Sequence, residues 1–98
     1  MHVYIQWDEV KRRRNLREHG VDFLDLEHFF AGELITAEDM RYEYIELRFR
    51  SIGLLGNRVV HVVWTPGDEE TTTIRLISAR KATHRETQAW FHRYCARH

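Results

Sequence analysis

The chain is short of the residues that staple or interrupt a fold, with one cysteine, one proline and five glycines among 98 residues. A lone Cys95 cannot form an internal disulfide, and without a Cys-x-x-Cys pair nothing suggests a structural zinc site. His92, Cys95 and His98 stand at i, i+3 and i+6, which is no recognised ligand frame, so no metal and no other cofactor is expected. No apolar run approaches the ~18 residues a membrane helix needs. The opening MHVYIQWDEV lacks the basic-then-apolar layout of a signal peptide, so a cytoplasmic protein without membrane contact is expected. Net charge is missing as well. Fifteen basic residues cancel fifteen acidic ones, and overall charge gives no argument for a nucleic-acid partner.

What is present is the mixture of a globular protein: 43% apolar residues, twelve aromatics and 31% charge. A chain this long buries roughly 60–70% of its unfolded surface around one core, so a single domain over residues 1–98 is expected. The charges are segregated. From Asp8 to Arg17 there are five basic and two acidic residues, and from Arg75 to His98 six basic and one acidic. Between Glu18 and Glu46 nine acidic residues face only Arg41, so a cationic surface beside an anionic one is possible. Thirteen of the fifteen cations are arginine, whose planar fork suits phosphate, although a biased genome would give the same excess.

Alternation through Val3, Tyr4 and Ile5 predicts a short strand over His2 to Gln6. Asp8 offers an N-cap and Gly20 a C-terminal stop, which predicts a helix from Asp8 to His19. Its apolar content is thin, with Val10 and Leu16 against Lys11 and four arginines, so part of it must face water or a charged partner. Asp22 caps a second helix through Phe30, with a core stripe of Phe23, Leu26 and Phe30. Strands are expected at Leu34 to Ala37, Tyr44 to Ile52, Arg58 to Thr65 and Thr71 to Ser78. Turn-like Leu54-Leu55-Gly56-Asn57 and Pro66-Gly67-Asp68-Glu69 separate the last three. Thr83-His84-Arg85-Glu86 has the form of a capping box and opens a last helix bearing Trp90, Phe91 and Tyr94. The expectation is an α+β fold: an antiparallel sheet with the helices on one face and the other face solvated. Alternation puts Glu46, Arg48, Arg50 and Arg75 on that open face, opposite Ile45, Leu47, Phe49, Ile74 and Leu76.

In this order the landmarks resemble the BrnT family of small bacterial toxins, within the RelE-like ribonuclease superfamily. The resemblance is carried by Trp7-Asp8-Glu9 with Lys11, by Asn15-Leu16-Arg17-Glu18-His19-Gly20-Val21, by Glu46 with Arg48-Phe49, and by Ile52-Gly53. Its strongest block is Ile74-Arg75-Leu76-Ile77-Ser78-Ala79-Arg80-Lys81-Ala82-Thr83 with Arg85-Glu86. The chain departs from the family at Ile45, commonly glycine, at His84, commonly arginine, and at Trp64, commonly tyrosine; no expected arginine is lost. The resemblance implies a RelE-like fold and a type II toxin that cleaves RNA and is neutralised by an antitoxin. That partner would be BrnA-like with a ribbon-helix-helix portion, through which operator DNA is contacted indirectly.

Metal-independent RNA cleavage needs a base for the 2′-hydroxyl, cations for the pentacoordinate phosphorane and a proton for the departing 5′-oxygen. Arginine supplies the second role and, being always protonated, neither of the others. The catalytic candidates are Glu46, Arg48, Arg75, Arg80 and His19; the RNA-binding candidates are Lys11, Arg50, Lys81, Trp64 and His61. If the third, fourth and fifth strands are neighbours in order, Arg48 and Arg75 stand two strand spacings apart, about 9.6 Å, with room for a phosphate between their side chains. Arg80 and Lys81 could close the cluster. Plain surface ion pairs of Glu46 with Arg48 or Arg75, worth about 0–1 kcal/mol each, are the competing reading. A non-catalytic RNA-binding or antitoxin-binding module of an operator-binding complex is the competing function.

Turn length decides between His61 and Trp64. A two-residue loop at Gly56-Asn57 pairs Leu55 with Arg58, and a four-residue loop from Leu54 to Asn57 pairs Gly53 with Arg58; either puts His61 on the arginine face and turns Trp64 toward the helices. A three-residue loop or a bulge in this hairpin reverses the assignment. An even loop is preferred, because Gly56-Asn57 suits a tight turn and Trp64 adds core volume.

Overall fold

In a computed structural model, residues 3–67 and 73–95 are described, and the statements below concern them. His2, Asp68, Glu69, Thr71 and His98, invoked above, lie outside them. The elements are β1 (Tyr4–Gln6), α1 (Glu9–His19), a 3-10 turn (Phe23–Asp25) running into α2 (Leu26–Ala31), β2 (Ile35–Glu38), β3 (Phe49–Leu55), β4 (Arg58–Pro66), β5 (Thr73–Lys81) and α3 (His84–Tyr94).

The caps read from sequence are formed. The Asp8 carboxylate accepts from the N–H groups of Val10 and Lys11, and Gly20 closes α1 at φ 70°, donating to the Leu16 carbonyl. Val10 and Leu16 are both exposed, so hydrophobic burial does not hold α1 down. Polar contacts do. Asn15, its one buried residue, donates to the carbonyls of Val21 (2.9 Å) and Ala79 (2.8 Å) and accepts the Ala79 N–H (3.0 Å). β1 pairs with β5 only as far as Arg75, so beyond that point the Asn15 amide does for β5 what a neighbouring strand would. Arg12 donates from one guanidinium nitrogen to both carboxylate oxygens of Asp22, which also caps the 3-10 turn.

The sheet order is β1-β5-β4-β3-β2. β1 runs parallel to β5 and the other neighbours are antiparallel, so the sheet is mixed rather than the expected antiparallel one. Alternation along β4 divides the core in two. Val60 and Val62 face α2 and pack with Val21, Phe23, Leu26, Phe29, Ile74, Leu76 and Ala79. Val59 faces the other way and packs with Ile35, Ile52, Ala82, Trp90 and Tyr94. The helices are therefore not all on one face. Ile35, Ile52 and Val59 make an apolar patch on the second face, and α3 covers it with Trp90 and Tyr94, which also donate to the carbonyls of Glu33 (3.0 Å) and Leu34 (2.6 Å).

β3 starts at Phe49 and not at Tyr44. Residues 39–48 form an irregular arm, because buried Asp39 organises them locally: its carboxylate accepts from the Arg41 guanidinium (2.8 Å, twice) and the Tyr44 hydroxyl (3.0 Å). Ile45 and Leu47, expected to face the core, are exposed, and Phe91 is exposed as well.

The β3–β4 hairpin turns on Gly56 and Asn57, with Gly56 at φ 64°, and pairs Leu55 with Arg58 through to Phe49 with Trp64. That is the shorter of the two even loops that the sequence allowed. A bulge interrupts β4–β5: Val63 pairs with Ser78 but Trp64 with Leu76, which leaves Ile77 unpaired. Because side chains alternate, the extra residue brings Arg75 and Arg80 onto one face, where regular pairing would put them on opposite faces.

Candidate functional site

The part of the second face that α3 leaves uncovered is an arginine field. Across β3, β4 and β5 the rows read Ile52, His61, Arg80 and then Arg50, Val63, Ser78, followed by Thr65 beside Arg75. Continuing the hairpin register by one residue puts Arg48 opposite Thr65, in the same row as Arg75. The backbone supports that placement: Asp39 N–H donates to the Arg48 carbonyl (2.8 Å), and the Thr65 hydroxyl to the Leu47 carbonyl (2.6 Å). Arg48, Arg50 and Arg75 are thus brought together on one face, as expected. Glu46 is on the arm, and its carboxylate accepts from Arg48 at 3.5 Å. The Arg48 guanidinium lies over the Tyr44 ring, 4.2 Å from its centroid. Among the described residues no ion pair involves Arg50 or Arg75.

Arg80 belongs to a different local arrangement. It donates to both oxygens of Glu86 (2.8 and 3.1 Å), and Glu86 in turn accepts the Thr83 N–H (2.8 Å) and completes the capping box of α3. Arg80, Lys81 and the start of α3 are thereby tied together, and Arg80 is largely neutralised. The Arg80 fork and the Thr83 N–H hold the Glu86 carboxyl down at about 2 against its desolvation. His61 lies under this bridge at 2% exposure, with Nε2 3.9 Å from Glu86. Burial, reinforced by the positive charge of Arg80, pushes its pKa down to about 4. Parity placed His61 on the arginine face as read, but burial keeps it from touching RNA, which corrects its assignment as an RNA contact.

Four further candidates sit away from this face. Trp64 turns to the helical side, stacks on Phe49 (5.0 Å), meets Phe30 edge-on and donates to the Ser51 hydroxyl (2.8 Å), so it is a packing residue rather than a base platform. Lys81 pairs with Val60, and its register therefore directs it to the face opposite Arg80, so the two cannot both close the cluster. His19 is exposed at the end of α1, in a groove with Lys11, Arg14, Glu18, Ile77 and Ser78. Lys11 and His19 thus flank the edge of β5 and do not join the Arg48 row.

Sequence reasoning missed Asp39, Arg41, Tyr44 and Glu86. The capping-box spacing did signal Glu86, but only as a helix cap. Nothing in the sequence indicated that one acid would serve both the cap and Arg80. Among the described residues, the buried side-chain nitrogens and oxygens without a protein partner are Arg48 Nε, Arg50 Nε and both ring nitrogens of His61. All four are on this face. No group of three histidine, cysteine or acidic residues among the described ones is placed to hold a metal ion, and none of their helices is long and apolar enough to cross a membrane.

Residues 7–86 match the family described as the ribonuclease toxin BrnT of type II toxin-antitoxin systems. The crystal structure of the Brucella abortus ribonuclease toxin BrnT superposes with a TM-score of 0.60 at 28% identity, covering 86% of this chain and 100% of that one. No curated protein matches. The family match spans most of the chain and the structural likeness agrees with it: this chain belongs to the BrnT family of ribonuclease toxins of type II toxin-antitoxin systems.

Proposed function

We propose that the chain cleaves RNA on the arginine face of its sheet, without a metal ion and in the manner of RelE-like toxins, and that this cleavage stops translation. The observation that carries the reading is the pair of buried Nε atoms on Arg48 and Arg50 that find no acceptor in the protein, both on one face beside Arg75. Leaving a buried donor unmade costs about 1–3 kcal/mol, and a fold concentrates such costs where a ligand supplies the acceptors. A phosphodiester is an anion whose oxygens accept hydrogen bonds from arginines such as Arg48, Arg50 and Arg75. In this reading the 2′-oxygen attacks phosphorus, the arginines hold the charge that builds on the non-bridging oxygens, the P–O5′ bond breaks, and the leaving 5′-oxygen takes up a proton from water. The products are a 2′,3′-cyclic phosphate and a 5′-hydroxyl. In the same reading Glu46, whose carboxylate accepts from Arg48, receives the 2′-hydroxyl proton.

The antitoxin, a BrnA-like protein with a ribbon-helix-helix portion that carries the pair to operator DNA, neutralises the toxin by setting acidic groups against these arginines. Hydrogen exchange of the complex tests that contact: added protection near Arg48, Arg50 and Arg75 is expected, and none there would show neutralisation from a distance. Incubation of purified toxin with RNA in EDTA tests the chemistry. Cleavage that persists and leaves cyclic phosphate ends supports it; activity abolished by EDTA and restored by a divalent ion overturns metal independence.

A further inference from the structure

The arm of residues 39–48 is irregular yet tightly tied, and it lies along the rim of the arginine face. Asp39 holds Arg41 and the Tyr44 hydroxyl, and the Asp39 N–H to Arg48 carbonyl bond joins its two ends. Arg48 lies across the Tyr44 ring and so links the arm to the phosphate-facing side chains. Tyr42 packs edge-on to Tyr44, 5.9 Å between centroids at 78°, but remains 70% exposed. Tyr42 therefore rests its edge against a neighbouring ring and keeps most of its surface open to a ligand. An exposed ring beside a cationic surface is what stacks a splayed base of a strand whose phosphates lie on that surface.

We propose that Tyr42 is a base-stacking platform: a single-stranded RNA whose phosphate lies on Arg48 and Arg50 places an adjoining unpaired base against the exposed Tyr42 ring. The inference rests on the RNA-cleaving reading above and deepens it by naming single-stranded RNA as the substrate class and the arm as the element that grips it. Stacking discriminates little among bases, so Tyr42 sets affinity for unpaired strand over duplex rather than a cleavage sequence. Tyr42 takes no part in proton transfer; the ring alone is needed.

The test uses the purified toxin, Tyr42→Ala and Tyr42→Phe, with a fluorescent single-stranded RNA 12-mer of mixed sequence and the matching DNA 12-mer, which has no 2′-hydroxyl to react. Tyr42→Ala is expected to raise KM for the RNA and Kd for the DNA by about 10-fold or more, with kcat at saturation nearly unchanged. Tyr42→Phe is expected to keep wild-type values, and the Ala variant to lose the preference for single strand over duplex. If Tyr42→Ala keeps wild-type KM and Kd, the platform is refuted while cleavage stands. If the Ala variant handles RNA normally but escapes neutralisation by the antitoxin, the exposed ring is a protein contact and the proposal is equally refuted. Failure of the wild type to cleave would strike the RNA-cleaving reading, and the DNA binding arm would still decide the role of Tyr42.

Discussion

Acidification should loosen this protein through His61, and the size of the effect follows from its surroundings. Arg80 on β5, Glu86 on α3, Arg41 on the arm and Arg50 on β3 bear on the ring, which is 2% exposed and has no hydrogen-bond partner at either nitrogen. Its folded pKa of about 4 lies below the ordinary 6.5 that the unfolded chain offers. Between those values the unfolded state binds the extra proton, so stability is full above pH 6.5 and falls as pH drops toward 4. The loss is about 2 kcal/mol by pH 5 and about 3 kcal/mol by pH 4. Glu86, held at about 2, loses its own contribution in the same direction, but only below pH 4.5. The assay is urea unfolding at pH 7.5, 6 and 5 for the wild type and His61→Leu. The leucine removes the titration and two buried, partnerless nitrogens, so the variant should be at least as stable at pH 7.5 and nearly flat down to pH 5. It should also keep RNA cleavage, because the ring is inaccessible. A wild type whose stability is level from pH 7.5 to 5, or a His61→Leu variant with the same slope, refutes this account of the buried cluster.

Asn15→Ala removes three hydrogen bonds and strands backbone groups of Val21 and Ala79, so it should cost about 3 kcal/mol in urea unfolding even though α1 buries no aliphatic side chain. Gly53→Ala should destabilise markedly in the same assay, because the new methyl would come within 2.5 Å of Leu34 Cδ2 and 3.1 Å of Phe29 Cε1. Arg80→Ala should lower the melting temperature more than Arg75→Ala does. Arg80 ties Glu86 to the start of α3, whereas Arg75 is exposed with no ion pair among the described residues.

Legibility in the sequence followed the range of each interaction. Asp8, Gly20 and the Thr83–Glu86 box act within a turn, and each cap formed where its residues announced it. The Gly56-Asn57 turn fixed the register of β3 against β4, and with it the faces of His61 and Trp64, because parity carries a local decision along the whole hairpin. The placement of α3 on the second face depended on a patch of Ile35, Ile52 and Val59 that exists only once three strands have met. The early end of β3 had a similar cause. Tyr44 to Arg48 alternates as a strand does, but the buried Asp39 carboxylate captures Arg41 and Tyr44 and bends the segment into an arm. Least visible was the bulge at Ile77, since nothing in Leu76-Ile77-Ser78 marks it, yet it decides that Arg75 and Arg80 share a face.

The central claim is that the arginines of the open sheet face carry out RNA cleavage, and single-turnover cleavage of an RNA 12-mer by Arg50→Ala and Arg75→Ala, beside wild type with the fold checked by circular dichroism, tests it most directly. Both residues lack ion pairs among the described residues, so truncation should leave the folded state within about 1 kcal/mol of wild type. Loss of a charge-stabilising donor should slow cleavage by about 100-fold or more in each. Wild-type cleavage rates in both folded variants would contradict the account.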